Sequence, residues 1–205
     1  MLGLKRGTVK LVPHDKRWES LFEKEKDLLE KKIGNLVVDI QHIGSTSIPN
    51  IEAKPILDLS IGVRSLKLAE RLVAPMQRLG YELSKRSKNR YELLFTKGPE
   101  SKRTHYIHVL RYNGAIWKHD LLFRDYLLKH PSYAKQYAAL KKKLSKQYAN
   151  DRFAYTAGKR QFIPSKIIFY NIKLFFFSSP GIIEKHNLVI GHLEVIGKNG
   201  TVITR

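Results

Sequence analysis

The amino-acid sequence predicts an α+β fold, in which a small mixed β-sheet is flanked by helices. Over about the first 112 residues, helical periodicity alternates with apolar runs of strand length. From about residue 113 the apolar spacing is that of helices. The last forty or so residues become strand-like again, which predicts a short hairpin-like tail.

The chain begins with a short predicted strand and a long amphipathic helix. Residues 9–12, with Val9, Leu11 and Val12, are a candidate short strand that ends at Pro13. Asp15 is a suitable N-cap for the helix that follows, because its carboxylate can accept the free N–H groups of the first turn. Apolar residues then recur at helical spacing until Gly34, which is expected to end the helix.

Two strands and a second helix come next. Residues 37–43 alternate in polarity, as strand residues do when they point to opposite faces of a sheet. Residues 55–63 are apolar almost throughout, which indicates a central strand. Ser65 is expected to cap a helix that ends at Gly80. A second pair of strands, 90–96 and 104–110, is separated by a loop that contains Gly and Pro, which predicts a hairpin.

The rest of the chain is predicted to be mostly helical. Apolar spacing indicates helices over residues 116–127, 131–148 and about 150–162. The middle helix begins with proline, which suits a first helical turn. Its polar face is predicted to carry Lys141–Lys143 and Lys146.

These elements predict one main domain and an extension. The main domain covers residues 1–163, with the sheet in about 1–112 and the helical part in about 113–163. Residues 164–205 form a C-terminal extension of unknown role. In this extension Asn199-Gly200 is a typical two-residue hairpin turn.

The composition is that of a globular chain without cysteine chemistry. Of 205 residues, 42% are hydrophobic, which is enough for a packed core, and none is cysteine. Disulfides, thiolate catalysis and cysteine-based zinc sites are therefore excluded. No apolar run reaches the roughly eighteen residues of a membrane span, and the first residues lack the apolar segment of a secretory signal. We therefore expect a soluble, cytoplasmic protein.

The chain is strongly basic. Lys and Arg number 38 against 18 Asp and Glu, which gives a formal net charge of +20. Such an excess attracts polyanions and accelerates association with them. RNA, nucleotides and an anionic membrane surface are the candidate partners, and a lysine-rich surface that serves solubility is an equal alternative.

A candidate phosphate site follows the strand 37–43. Gly44 permits a sharp turn and the close approach of a ligand, because it has no Cβ atom. The Ser45 hydroxyl and nearby N–H groups can then hold phosphate oxygens. Asp58, thirteen positions after Ser45, supplies a carboxylate of the kind that Mg²⁺ prefers. The alternative is an ordinary turn with an aspartate at a strand position.

This spacing is similar to that of the nucleotidyltransferase superfamily, in which Gly-Ser is followed, about a dozen residues later, by Asp-apolar-Asp/Glu. The wider sequence resembles the GrpB family of nucleotidyltransferase-like proteins. The stretches that carry this resemblance are HIGSTSIPNIEAKPILDLSIGV (42–63), KGPESKRTHYIHV (97–109), FRDYLLKHP (123–131), YAALKKKL (137–144) and AYTAGKRQFI (154–163). Together they extend over nearly the whole chain up to residue 163.

The resemblance implies a nucleotidyltransferase-type fold with a helical C-terminal half. The activity of the family is poorly defined, and some members are fused to dephospho-coenzyme A kinase, so the resemblance implies a fold more firmly than a reaction. One hypothesis is an enzyme that binds a nucleotide or other phosphorylated ligand with Mg²⁺ and transfers a nucleotidyl group to an unknown acceptor. The other is a catalytically degenerate module that binds a nucleotide, coenzyme A, RNA or a partner protein.

The sequence departs from the catalytic pattern at the second acidic position, which is Ser60. One carboxylate of a two-metal site is therefore missing. Glu92 is the one carboxylate in the two later strands, and a surface cross-strand partner is its alternative role. His108, which the family carries at this point, joins Asp58 as a candidate catalytic residue, and His105 is a supporting candidate. Ordinary strand packing is the alternative for both histidines.

Further candidates surround the motif. Lys54, Arg103 and Lys159 are expected to counter phosphate charge, although a solvated loop position is an equal alternative for Lys54. His42 is expected to hold the Gly-Ser loop by a hydrogen bond. Tyr155 is expected to help close the site from the helical side.

Overall fold

The computed structural model describes residues 2–85, 91–160, 162, 195–196 and 202–203. Within these ranges the chain forms a five-stranded sheet with helices packed on both of its faces. The predicted α+β class is therefore confirmed.

The sheet is mixed. Strand β1 (Asp39–Ile43) pairs antiparallel with β2 (Leu57–Val63), and β2 pairs parallel with β5 (His105–Arg111). Strand β5 pairs antiparallel with β4 (Glu92–Lys97), which pairs antiparallel with β3 (Tyr81–Leu83). The order is β1-β2-β5-β4-β3, so the apolar β2 lies between two neighbours, as predicted for a central strand.

Six helices lie within the main described ranges. They are α1 (Arg17–Ile33), α2 (Leu66–Ala69), α3 (Val73–Arg78), α4 (Ala115–Lys129), α5 (Pro131–Gln147) and α6 (Arg152–Gly158). None of the helices in the described ranges combines the length and apolarity that a membrane crossing requires.

The two faces of β2 have different roles. Its odd-numbered residues are buried in the main hydrophobic core, together with residues of α1, α2 and α3. Asp58, Ser60 and Gly62 alternate with them and so point to the opposite face. A Cβ atom on Gly62 would lie 3.1 Å from the Trp117 ring of α4, so this glycine lets the helical half approach the sheet closely. The face that carries Asp58 is thus covered in part by the C-terminal helices.

A second apolar cluster fixes the loop between β1 and β2. Ile48 and Ile51 of this loop are buried against Tyr126, Leu127 and Tyr137 of α4 and α5. Because both partners are apolar and buried, the loop that follows the Gly-Ser pair is fastened to the helical half by hydrophobic contact.

The helix ends agree only in part with the sequence signals, because the N-cap of α1 is Lys16 instead of the predicted Asp15, and Ser65 precedes α2 without a side-chain capping bond. The Asp15 carboxylate accepts the Arg17 N–H at 3.0 Å at the start of α1. Pro131 is the first residue of α5, as expected of a residue without a backbone N–H donor. At the start of α6, Asp151 accepts the Ala154 N–H at 2.9 Å.

One prediction in the sheet region is wrong, and one strand was not predicted. Residues 9–12 do not form a strand, because Val9 donates to the Ala149 carbonyl whereas Val12 pairs with Ala53. Two partners in different parts of the chain cannot form a continuous ladder. The short strand β3 was not predicted, because three residues are too few to show an alternating pattern.

The predicted helix between Ser65 and Gly80 is divided. It consists of α2, the 3₁₀ turn Glu70–Leu72 and α3. Pro75 lies in α3 and has no N–H to donate to the residue four positions earlier, so an unbroken α-helix would lose that hydrogen bond. The tighter turn before α3 is consistent with this constraint.

The chain divides into two compact units, residues 1–170 and 171–205. In the second unit, β6 (Val195–Ile196) pairs antiparallel with β7 (Val202–Ile203), as a hairpin requires. The predicted Asn199-Gly200 turn, the apolar run 166–177 and the expected boundary at residue 163 lie outside the described residues.

Candidate functional site

The Gly-Ser turn lies against the Asp58 carboxylate. Gly44 has φ 70° and ψ −168°, a conformation that is essentially restricted to glycine. Because Ile43 is paired with Asp58 in the sheet, the turn begins beside the carboxylate, and Ser45 starts a 3₁₀ turn immediately after it. A Cβ atom on Gly44 would lie only 2.6 Å from Asp58 Oδ2. The structure therefore places the Gly-Ser turn directly beside Asp58.

His42 holds this turn in place, as expected. Its Nε2 lies 3.0 Å from Thr46 Oγ1, and the Thr46 hydroxyl in turn donates to the Ile56 carbonyl at 3.3 Å. The imidazole also stacks on Phe22, with the ring centroids 4.7 Å apart. Burial lowers the pKa of His42 to about 4, so the imidazole is neutral at pH 7. His42 thus serves as a neutral support of the loop.

Four cationic side chains gather on the face to which Asp58 points. Lys54 lies just before β2, Lys141 on α5, Arg152 on α6 and Lys159 directly after α6. Lys54 and Lys159 interact electrostatically with Asp58 and with Arg152, and Lys141 interacts with both of these lysines. Lys54, Lys141, Arg152 and Lys159 are called the cation cluster below.

Tyrosine rings support the three lysines of the cluster. The Nζ atoms of Lys159 and Lys54 lie 4.6 Å and 6.0 Å from the centroid of the Tyr155 ring. Lys141 Nζ lies 4.9 Å from the centroid of the Tyr137 ring. The negative face of an aromatic ring attracts a cation, so these contacts favour the positions of the ammonium groups. The Tyr155 ring, which contacts two of the lysines, is buried.

Arg152 connects α6 to the sheet next to Asp58. Its guanidinium carbon lies 4.4 Å from the centroid of the Tyr106 ring, and its Nη1 donates to the Tyr106 hydroxyl. Tyr106 is the partner of Asp58 in the parallel β2–β5 pairing. The guanidinium is therefore held beside the strand position that carries the carboxylate.

The three lysines of the cation cluster have lowered pKa values. Burial and the neighbouring cations lower the pKa values of Lys54 and Lys141 to about 7 and that of Lys159 to about 8. Asp58 opposes this effect at Lys54 and Lys159, and Glu52 opposes it at Lys141, but all three pKa values stay below the ordinary value of a lysine.

His108 is oriented by Glu92. The two residues lie on the neighbouring strands β5 and β4, and His108 Nδ1 is hydrogen-bonded to Glu92 Oε1. Burial lowers the pKa of His108, but the hydrogen bond and charge of Glu92 outweigh burial and raise it, with a smaller contribution from Asp58. His108 pairs with Ser60 in the sheet and therefore lies on the same face as Asp58. Its Nε2 is left as the atom that could contact a ligand.

The residues on this face do not fit a two-metal centre. Asp58 is the carboxylate at the turn, and the next position on the same face is Ser60, a fully buried neutral residue. The Ser60 hydroxyl has no hydrogen-bond partner among the described residues. No group of three or more His, Asp or Glu side chains that could hold a metal ion occurs in the described ranges. Magnesium usually keeps several waters and binds one or two carboxylates plus substrate phosphates. Asp58 would supply one such carboxylate, which is too few for two metal ions.

The chain matches the model of the "GrpB protein" family over residues 8–167. The chain belongs to the GrpB family. Similar proteins include Glutamate-rich protein GrpB of Alkalihalophilus pseudofirmus, which is 44% identical over 80% of this chain and 96% of its own length. The solved structure of conserved protein GrpB from Enterococcus faecalis has a TM-score of 0.72 and 30% identity, and the match covers 82% of this chain and 99% of that one. The predicted family membership is therefore confirmed.

A more distant structural match is terminal uridylyl transferase 4 from Trypanosoma brucei with bound dUTP. Its TM-score is 0.48 and its identity 14%, over 80% of this chain and 55% of that chain. A likeness of this degree carries no argument about function.

Two of the predicted residues of this GrpB-family chain lie away from the cation cluster. His105 precedes Tyr106 on β5 and so points to the opposite face, where its Nε2 lies 3.8 Å from Glu25 Oε2. Arg103 is buried, and its guanidinium donates to Glu82 and to the Gly98 carbonyl. These contacts favour structural roles for His105 and Arg103.

Two members of the cation cluster were not predicted. Lys141 was placed on the exposed face of its helix, but it is 1% exposed and donates to the Glu52 carbonyl. The signal was its spacing, because Lys141 follows Tyr137 by four residues and thus lies on the apolar face of α5. Arg152 lies three residues before Tyr155 and seven before Lys159, so helical periodicity would have grouped these three residues.

Proposed function

We propose that this GrpB-family chain binds a phosphorylated small molecule at the cation cluster, and that a nucleoside triphosphate is the ligand that fits it best. The supporting observation is the convergence of Lys54, Lys141, Arg152 and Lys159 on the face of Asp58, seen in their ring contacts and in the electrostatic interactions among them. Bringing like charges together away from water is costly, and an anion that makes charge-assisted hydrogen bonds to them offsets that cost.

The glycine turn completes the proposed site. Gly44 brings backbone close to Asp58 without a side chain, and the Ser45 hydroxyl lies at the same turn. Backbone N–H groups and hydroxyls in such turns bind phosphate oxygens. The cluster would therefore hold the ligand from the helical side and the turn from the sheet side.

Nucleotidyl transfer to an acceptor is the second candidate function. The supporting observation is the pairing of His108 with Glu92, because a carboxylate that fixes one ring nitrogen leaves the other free for proton transfer. Ser60 in place of a second carboxylate argues against the usual two-metal route. A binding module without catalysis, for a nucleotide, a coenzyme A-like ligand or a partner protein, is the alternative that this substitution favours.

An RNA acceptor would have a suitable surface on α5. Lys135, Lys142, Lys143 and Lys146 are exposed on this helix, whose buried Lys141 belongs to the cation cluster. RNA binding through these residues would weaken steeply as salt is added, since counterions are released from the phosphate backbone. An affinity that does not change with salt would exclude RNA as the acceptor.

Calorimetric titration of ATP, CTP, GTP and UTP into the full chain tests the binding proposal. The Lys54→Gln/Lys159→Gln double variant should bind about 100-fold more weakly, because each charge-assisted hydrogen bond contributes roughly 1.5 kcal/mol. The matched control is Lys142→Gln/Lys143→Gln, which removes the same charge from exposed positions of α5. Equal losses in the two double variants would show that overall charge, and not this site, binds the nucleotide.

Turnover assays with the same nucleotides test the catalytic candidate separately. Formation of pyrophosphate or a nucleotidyl product should stop in Asp58→Ala and fall strongly in His108→Asn if transfer occurs at this site. Turnover that survives both substitutions would reject the assignment of these residues as catalytic.

A further inference from the structure

The charge balance of the site differs from that of a magnesium-dependent nucleotide site. In such sites the metal ion neutralises part of the phosphate charge, and protein carboxylates hold the metal. Among the described residues of this face, Asp58 is the carboxylate that could hold a metal ion, because Ser60 is neutral and Glu92 is hydrogen-bonded to His108. The residues that would hold the phosphates, by contrast, are four cations.

The cation cluster can neutralise phosphate charge, which is what the metal ion does in a magnesium-dependent site. Lys54 and Lys159 both contact the Tyr155 ring, with their Nζ atoms 6.0 Å and 4.6 Å from its centroid. Arg152 is held on the ring of Tyr106, the strand partner of Asp58, and Lys141 interacts electrostatically with both lysines. A divalent cation placed among these groups would be repelled by each of them, whereas phosphate oxygens would be attracted. The phosphate charge can therefore be balanced by the protein alone.

Asp58 has a different role in this arrangement. Its carboxylate forms no ion pair shorter than 4.0 Å with a described residue, but its charge favours the protonated forms of Lys54 and Lys159. In the free protein it partly balances Lys54 and Lys159, while Glu52 does the same for Lys141. A bound polyphosphate would take over this function and would be repelled by the same carboxylate.

We propose that the cation cluster binds the polyphosphate of its ligand without magnesium, and that Asp58 is the counter-ion of the cluster in the free protein rather than a metal ligand. This inference rests on the proposed function, because it concerns the same site and the same class of ligand. The inference predicts that Mg²⁺ lowers the affinity of the chain for ATP, because a bound Mg²⁺ cancels two of the negative charges of ATP.

The test is a calorimetric titration of ATP into the full chain at pH 6.5, first with EDTA and then with excess MgCl₂. We expect binding in EDTA and an affinity lower by about tenfold in MgCl₂, which corresponds to roughly 1.4 kcal/mol. Binding that occurs with Mg²⁺ alone, or that is stronger with Mg²⁺, would overturn the inference and leave the proposed function intact. Absence of binding in both buffers would overturn both.

The Asp58→Asn variant distinguishes the two possible roles of Asp58, counter-ion and metal ligand, because each role predicts a different change in ATP affinity. If Asp58 is a counter-ion, its neutralisation removes a repulsive charge, and ATP should bind about threefold or more tightly in EDTA. If Asp58 is a metal ligand, the same variant should lose affinity in MgCl₂ and remain unchanged in EDTA. A thermal unfolding curve like that of the wild type would show that the variant is folded. The comparison of EDTA with MgCl₂ uses the wild-type chain and does not depend on this variant.

Discussion

Replacement of Gly44 by alanine tests whether the glycine turn and Asp58 form one site. The backbone at Gly44, with φ 70° and ψ −168°, costs about 1–3 kcal/mol for a residue that has a Cβ atom. That Cβ atom would also lie 2.6 Å from Asp58 Oδ2 and 2.9 Å from Asp58 Cβ. Because the second contact involves the base of the side chain, rotation of the carboxylate alone does not relieve it. Asp58 or the turn must therefore move.

The matched control is Gly80→Ala. Gly80 also has a positive φ, of 80°, but a Cβ atom there would meet no heavy atom within 4 Å. It lies directly before β3, which is the edge strand at the opposite end of the sheet from β1. The control therefore reports the cost of a positive φ without displacement of a neighbour.

Urea denaturation and ATP titration of both variants give the magnitude. We expect Gly44→Ala to lower the free energy of unfolding by about 1–3 kcal/mol more than Gly80→Ala, the usual cost of forcing an extra carbon into a packed site. For a chain of this size each kcal/mol corresponds to a decrease in Tm of roughly 2–4 °C. ATP affinity should fall in Gly44→Ala alone. Equal stabilities and unchanged affinity in the two variants would refute the close contact of Gly44 with Asp58.

Three further predictions concern charge. ATP affinity should fall as the pH rises from 6.5 to 9, because the lowered pKa values of Lys54 (about 7) and Lys159 (about 8) mean that both lose their protons in this window; calorimetry that shows constant affinity would contradict this. Glu92→Gln should lower Tm more at pH 6 than at pH 9, because a raised pKa of His108 makes its pairing stabilising below about 6.5 and this contribution is lost as the pH rises through that pKa. Equal decreases in Tm at the two pH values would count against the pair. Arg103→Ala should lower the free energy of unfolding by about 1–3 kcal/mol without changing ATP affinity, because protein acceptors hold its guanidinium. A loss of ATP affinity without a loss of stability would indicate instead that Arg103 binds phosphate.

The fold followed from the sequence where the local pattern matched the final environment. The apolar run of β2 has neighbours on both sides, and Ile43, the last residue of β1, lies opposite Asp58. The proximity of the Gly-Ser turn to Asp58 could therefore be predicted from spacing alone. The absence of a strand at residues 9–12 could not, because it depends on the distant partner Ala149.

The cation cluster was only half predicted, and the reason is physical. Lysine is usually exposed, so its type outweighed the helical spacing that places Lys141 beside Tyr137 on the buried face. A buried lysine becomes plausible only when its acceptor, the Glu52 carbonyl, is known, and that acceptor lies 89 positions away in the chain. For His105 the sequence pattern was sufficient, because strand alternation places His105 and His108 on opposite faces of the sheet.

A crystal structure of the full chain with ATP, grown in the presence of EDTA, tests the central claim most directly. The account predicts that the phosphates lie within salt-bridge distance of Lys54, Arg152 and Lys159, beside the Gly44 turn, with no metal ion between them and Asp58. Phosphates bound elsewhere on the surface, or a metal ion coordinated by Asp58 when magnesium replaces EDTA in the crystals, would contradict it.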